Sequence, residues 1–261
     1  MTIVLTLANQ KGGVGKTTTA INLSAAIAAG GNRCLLIDLD PQANATSGLG
    51  VDAGGLPSVY DVLLDDLPLS EVVLPTPQAN LEIAPANADL AGADVELVPA
   101  MAREQRLRRA LEAPLPYDLI VIDCPPSLGL LTINALTAAR EVLVPVQCEY
   151  MALEGLGQLM RTLDAVRRNL NPSLNLRGVL LTMYDGRTNL SQQVAEEVRS
   201  HFPSTFETVI PRSVRLSEAP SHGLPINLYD PSSRAAKTYA AAAAELLRAL
   251  DLAPVAGRRT E

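Results

Sequence analysis

From Ala8 to Thr19 the chain reads Ala-Asn-Gln-Lys-Gly-Gly-Val-Gly-Lys-Thr-Thr-Thr, in which glycines alternate with two lysines and end in hydroxyls. Glycines at 12, 13 and 15 let successive backbone N–H groups turn toward one anion, a cluster that Cβ atoms would crowd. Lys11, Gly12, Gly13, Val14, Gly15, Lys16, Thr17 and Thr18 therefore form a candidate cradle for the phosphates of a nucleotide. Lys16 would reach the β and γ phosphates. Thr17 would place its hydroxyl on Mg²⁺, a hard cation that takes oxygen ligands and shares them with the nucleotide. The loop departs from the G-x-x-x-x-G-K-[ST] pattern at its first glycine, which is Gln10 here, and it offers a second lysine, Lys11, instead.

Two carboxylates stand where such a loop needs them. Asp40, in Asp38-Leu39-Asp40-Pro41-Gln42, follows an apolar run and precedes a proline that turns the chain outward; it is placed to orient an attacking water or Mg²⁺, or simply to cap the turn. Asp123 closes Leu119-Ile120-Val121-Ile122, the apolar-run-then-aspartate arrangement that holds Mg²⁺ directly or through water.

These residues need a scaffold of buried strands whose C-terminal ends share one edge. Ile3, Val4, Leu5 and Leu7 make an apolar strand before the loop, and Ile21, Leu23, Ala26 and Ile27 recur at helical spacing after it, so the loop is a strand-to-helix turn with the helix N-terminus aimed at the anion. Further strands are expected at 33–39, 81–84, 117–123, 141–146, 176–183 and 205–210. Helices are expected at 58–64, 98–111, 151–169, 190–201 and 234–250. Strands separated by helices imply an α/β fold: one doubly wound, mostly parallel sheet with helices on both faces. Residues 1–252 are expected to form one phosphate-loop domain, and 253–261 a flexible C-terminal tail.

The 261 residues, 48% of them apolar, suffice for one such domain. No charged-then-apolar leader and no apolar run near 18 residues is seen, so the expected location is cytoplasmic. Cys34, Cys124 and Cys148 are scattered and never paired as C-x-x-C, which reads as reduced structural cysteine rather than a zinc site. A net charge of −7 argues against nucleic acid as a partner, but residues 1–100 hold three basic and eleven acidic side chains and the remainder eighteen and seventeen, so an arginine surface in the second half stays open. The arginines at 103, 106, 108 and 109 read as a solvated helix face.

Lys-Gly-Gly-Val-Gly-Lys-Thr-Thr resembles the deviant Walker A loop of the ParA and MinD superfamily of dimeric ATPases, in which a lysine matching Lys11 crosses the dimer interface to the partner's ATP. Asp-Leu-Asp-Pro-Gln-Ala-Asn resembles switch I of ParA proteins, the aspartate matching Asp40 supporting hydrolysis, and Asp-Cys-Pro-Pro-Ser-Leu-Gly resembles switch II. Ile210-Pro211-Arg212 is similar to the loop beside the adenine, which implies that Pro211, with Met183 as a neighbour, packs against the base. Where some relatives have Asn-Lys-x-Asp this chain has Thr182-Met183-Tyr184-Asp185, leaving the basis of purine choice open. The resemblance, closest to the short Soj-type ParA proteins, further implies an ATP-dependent homodimer, non-specific double-stranded DNA binding through Arg187 and Arg215, slow hydrolysis stimulated by a ParB-type centromere-binding partner, and nucleoid association when ATP is bound. A MinD-like membrane ATPase would need a C-terminal amphipathic helix, which an alanine-rich stretch followed by Pro254 and Gly257 does not suggest; no stable membrane association is expected. A metabolic enzyme using the same loop on a small substrate is the other reading left open. The cysteines weigh against the iron protein of nitrogenase.

Overall fold

Strands β1 (Ile3–Leu7), β2 (Cys34–Asp38), β3 (Leu74–Pro75), β4 (Leu81–Ala84), β5 (Leu119–Asp123), β6 (Glu141–Gln147) and β7 (Asn175–Thr182) form one sheet in the order β3-β4-β2-β5-β1-β6-β7. This is a computed structural model, and it describes residues 2–149 and 152–253. Every neighbouring pair is parallel except the short edge pair β3–β4. The central strands are apolar along their whole length because both faces are covered. Leu5, Leu36, Val121, Leu143 and Leu180 pack under helix α1 (Lys16–Ala29) and the C-terminal helix Arg234–Ala249. Leu35, Ile37, Ile120 and Ile122 face the opposite way, as do Val142, Val144, Val179 and Leu181 beyond them.

The order places the chemistry. β1 sits between β5 and β6, and the registers align Leu7 with Asp123 and Asp123 with Asp38. The loop after β1 therefore leaves the sheet at the level where β2 and β5 end in carboxylates.

Most expected elements are present within a residue or two, two differ, and β3 and the helix Leu130–Ala138 stand where no element was expected. The segment 205–210 is not a strand: it touches β7 at Val179↔Thr205, and Phe206 and Ile210 donate to Val179 O and Leu181 O, but the N–H groups of Glu207 and Thr208 go to the Glu245 carboxylate at 2.7 and 3.1 Å. A side chain on the C-terminal helix thus takes the donors that a ladder would need. The helix expected at 98–111 is broken, because Ala102 adopts φ 50° between a helix at Leu90–Glu96 and short turns at Arg103–Gln105 and Arg106–Ala110. Arg106 lies off the solvated face and pairs with Asp66 at 2.7 Å. The antiparallel β3 was not expected; two residues carry no periodicity. Of the tail expected at 253–261, residues 254–261 lie outside the described residues, as does Met151 of the expected 151–169 helix.

Candidate nucleotide and magnesium site

The loop after β1 is held open by its neighbours rather than by its own contacts. Asn9, buried, donates to Pro145 O at 2.8 Å and accepts the Lys11 N–H at 3.0 Å, pinning the loop to β6. Thr182 at the end of β7 donates to Val14 O at 2.8 Å. Gln10, where the usual pattern has glycine, sends its amide to Gln158 Oε1 at 2.9 Å on the helix Ala152–Asn169. Gly13 and Gly15 have φ 73° and 84°, left-handed geometry that lets the loop curl back to the start of α1. The helix begins without a side-chain cap, so its first N–H groups and positive end face the loop.

Gly12, Gly13, Gly15, Lys16, Thr17, Thr18 and Asp40 line one hollow of about 350 Å³. A second, of about 330 Å³, lies beside it and shares Gly15, Thr18 and Met183; Thr182, Ile210, Pro211, Leu216 and Tyr239 make its walls. The first is lined by the glycine loop, Lys16, the threonines and Asp40, and the second adds the apolar side chains of Ile210, Pro211 and Leu216, a division that suits a phosphate chain beside a flat base. Met183 adopts φ 51°, costly for an unbranched side chain; the Tyr184 N–H bond to Ile210 O at 3.0 Å and the Tyr184↔Pro211 pairing hold it there.

Lys16 Nζ, nearly buried, donates to Lys11 O at 3.1 Å. Burial pushes its ammonium below the usual lysine value, while the carboxylates of Asp123 and Asp40 pull the other way. Asp40 is 6% exposed, and its Oδ1 accepts the Gln42 N–H at 3.0 Å. The turn-capping and water-orienting readings are thus not exclusive: one oxygen caps while the residue lines the phosphate hollow.

Asp123 is the group least at ease. It is fully buried and neither carboxylate oxygen has a hydrogen-bond partner; the Thr17 hydroxyl acts on it without closing a bond of regular geometry. Burial and the neighbouring Asp38 raise its pKa well above that of an ordinary carboxylate. An orphaned buried carboxylate beside the hydroxyl of Thr17, which lines the phosphate hollow, fits Mg²⁺, which binds through one or two such oxygens plus the nucleotide and water. Thr17 and Asp123 are the residues that could hold it.

Asp38 escapes a reading by motif. Its Oδ2 accepts the Thr46 N–H and hydroxyl at 2.9 and 2.8 Å, and its Oδ1 accepts the Asp40 N–H at 3.1 Å. It hangs the whole turn from β2, and burial raises its own pKa despite those bonds. A charged residue ending a buried strand two positions before Asp40 was the available signal.

Of the expected residues Lys11, Val14, Asp123, Arg187 and Arg215 line neither hollow; Val14 and Asp123 are buried, and the other three stand apart. Lys11 lays its ammonium on Glu149 at 3.5 Å, and Glu149 also meets Arg212 at 3.9 Å and takes a bond from Gln147. Arg187 forks onto Asp185 at 2.9 and 2.7 Å, in a separate cleft with Arg212, Val214 and Arg234. Arg215 pairs with Glu218 at 2.9 Å and Asp230 at 3.6 Å. Cys34, Cys124 and Cys148 are free and buried.

A parallel sheet with this loop, a strand-end carboxylate and a base-sized hollow defines a P-loop nucleotide hydrolase. Residues 2–176 match the family described as an AAA domain. The sporulation initiation inhibitor protein Soj of Bacillus subtilis is 58% identical over 239 residues, covering 90% of this chain and 94% of its own. The chromosome partitioning protein ParA of Myxococcus xanthus is 54% identical over 249 residues, 94% and 88% of the two chains. Among solved structures, cobyrinic acid a,c-diamide synthase from Mycobacterium smegmatis with bound ADP and magnesium shares 42% identity at TM-score 0.83 over 96% of each chain. The septum site-determining protein MinD from Pyrococcus horikoshii with Mg-ADP shares 27% at 0.75, covering 94% of this chain and 96% of its own. The chain belongs to the ParA and Soj family of chromosome-partitioning ATPases: it hydrolyses ATP and uses Mg²⁺ with it.

Proposed function

We propose that this ATPase is a DNA-partitioning switch: ATP brings two copies together, the dimer holds double-stranded DNA without regard to sequence, and hydrolysis stimulated by a ParB-type partner releases it. The carrying observation is the position of Lys11. Its backbone belongs to the phosphate loop, yet its ammonium stands outside the hollow on Glu149, in an ion pair with both side chains more than a third exposed. Pairs so exposed contribute about 0–1 kcal/mol, so docking a second copy can draw Lys11 off Glu149 toward the partner's ATP at little cost.

Within the hollow, Lys16 and the N–H groups from Gly12 to Thr18 hold the phosphates, while Met183 and Pro211 flank the base. Asp40 orients water in line with the γ-phosphate. Lys16 and a partner's Lys11 balance the charge that develops on its oxygens. Thr17 and Asp123 would hold Mg²⁺, which would supply positive charge against the phosphates. Arg187 and Arg215 supply the DNA contacts. Both are now paired with carboxylates on exposed surface, so DNA phosphates would compete for guanidiniums already oriented. A dimer doubles the arginines and steepens the salt dependence.

The test is retention on a duplex of arbitrary sequence with ATP, with ADP and without nucleotide, at two salt concentrations. Retention confined to ATP and falling steeply with salt is the expected result; equal retention in all three states would sink the switch. Arg215→Glu is expected to keep basal ATP hydrolysis and lose at least about tenfold in retention. Unchanged retention at moderate salt would remove Arg215 from the surface.

The C-terminal helix bears on the membrane alternative. Its apolar face, with Ala235, Tyr239, Ala242, Leu246 and Leu247, is buried against α1 rather than free for lipid, and among the described residues no helix is long and apolar enough to cross a membrane. The Mycobacterium neighbour's name favours ATP-driven amide formation as a second reading. Release of ADP and phosphate in step, with only DNA and a partner added, counts against it.

A further inference from the structure

Switch I and the segment that carries Arg215 share one apolar cluster, and at one point their main chains touch directly. Beyond Asp40 the chain forms the short helix Asn44–Gly48, fixed to β2 through Thr46 and Asp38, and then turns at Leu49 and Gly50. Beyond Arg215 it forms Arg215–Glu218 and Ala219–His222 and turns at Gly223. Gly50 and Gly223 press against each other, both left-handed, with φ 71° and 66°. A Cβ on Gly223 would come to 2.6 Å from Gly50 Cα and 3.0 Å from its nitrogen; one on Gly50 would come to 3.1 Å from Gly223 O. One turn earlier, a Cβ on Gly48 would stand 3.5 Å from Pro220 Cβ.

The Arg215 segment is gripped on its other sides as well. Leu216, Ser217 and Pro220 wall the base hollow. Asn22 of α1 donates to Thr18 O at 2.7 Å and accepts the Ile226 N–H at 2.6 Å, joining the phosphate loop's first helical turn to the chain just after Gly223. A side chain between two moving parts absorbs displacement by changing rotamer; two main chains in contact have no such slack, and close-packed interiors pass strain on.

We propose that the Gly50–Gly223 contact positions Arg215 according to the state of the Asp40 loop, so that occupancy beside the γ-phosphate sets the arginine surface's affinity for DNA. The inference rests on the DNA-binding reading above and adds the route by which the nucleotide reaches it. Linkage makes the route reciprocal: DNA raises the affinity for ATP by the factor by which ATP raises that for DNA.

The experiment measures the Kd for one arbitrary duplex in ATP and in ADP, together with ATP binding and thermal melting, for wild type, Gly223→Ala and Gly55→Ala. Gly55 has φ 73° with nothing within 4 Å of its would-be Cβ, so its variant carries the same backbone strain without the contact. The expected ADP-to-ATP ratio of Kd values is about tenfold or more for wild type and Gly55→Ala, and lower than wild type by about threefold or more for Gly223→Ala with ATP still bound and dimerisation retained. If Gly223→Ala fails to fold, Gly50→Ala, whose Cβ meets Gly223 less closely, at 3.1 Å from its oxygen and 3.4 Å from its Cα, is expected to lower the ratio in the same direction. A folded variant at either contact position with the full wild-type ratio overturns the relay alone. A wild-type ratio of one overturns the DNA reading beneath it.

Discussion

Asp40→Ala is expected to slow ATP hydrolysis by ~100-fold or more while leaving ATP binding, and ATP-dependent dimerisation, in place. Lys16, the backbone N–H groups and Asp123 do not depend on the Asp40 carboxylate to stand where they stand. Truncation removes the turn cap too, since Oδ1 accepts the Gln42 N–H. Asp40→Asn separates the two roles: its carbonyl oxygen still caps, but it has lost the charge that orients and polarises water. Rapid hydrolysis in Asp40→Asn together with slow hydrolysis in Asp40→Ala would mean that the residue only shapes the turn. Loss of ATP-dependent dimerisation in either would contradict the assigned role.

The second large effect has opposite signs with and without ligand. Asp123 and Asp38 are buried side by side at the ends of paired strands, and both bind protons more tightly in the folded protein than ordinary carboxylates. A carboxyl whose folded pKa is raised holds its proton to higher pH than the unfolded chain does, so stability falls as pH rises from near 4 through the raised value. Nucleotide-free protein should therefore melt higher at pH 5.5 than at pH 7.5 as far as this pair decides. Asp123→Asn should raise the melting temperature at pH 7.5 and flatten the pH dependence. With Mg²⁺ and ATP at a hundredfold excess over Kd, wild type should gain roughly 5 °C or more, and Asp123→Asn little. A variant that is less stable without ligand, or that responds fully to Mg²⁺ with ATP, would refute the placement of Mg²⁺ at this carboxylate.

Patterns that repeat were easy to read. The apolar runs ending in Asp38 and Asp123 announced buried parallel strands whose ends share an edge, and the loop alone named Lys16 and Thr17 as candidates, both of which line the hollow. What escaped reading were the residues that act on other segments. Asn9 reaches Pro145, Thr182 reaches Val14 and Glu149 holds Lys11, bonds whose partners lie far apart in the chain and leave no local spacing. The strand expected at 205–210 failed for the same reason, its donors captured by Glu245. Arg187 and Arg215 were identified as residues, but their carboxylate partners were not, although Asp185 and Glu218 lie only two and three positions away.

The strand order also has a consequence for how the chain is made. β1 is flanked by β5 and β6, and Thr6 lies 116 residues before Ile122, its neighbour across the sheet. During synthesis β1 emerges with both edges unpaired and waits roughly ten seconds, at ribosomal rates, for β5. Thr182, which pins the phosphate loop, follows Val14 by 168 residues. A nascent chain therefore has the loop long before it has the cradle, and for that interval the apolar β1 depends on the ribosome's surroundings to stay out of intermolecular pairing.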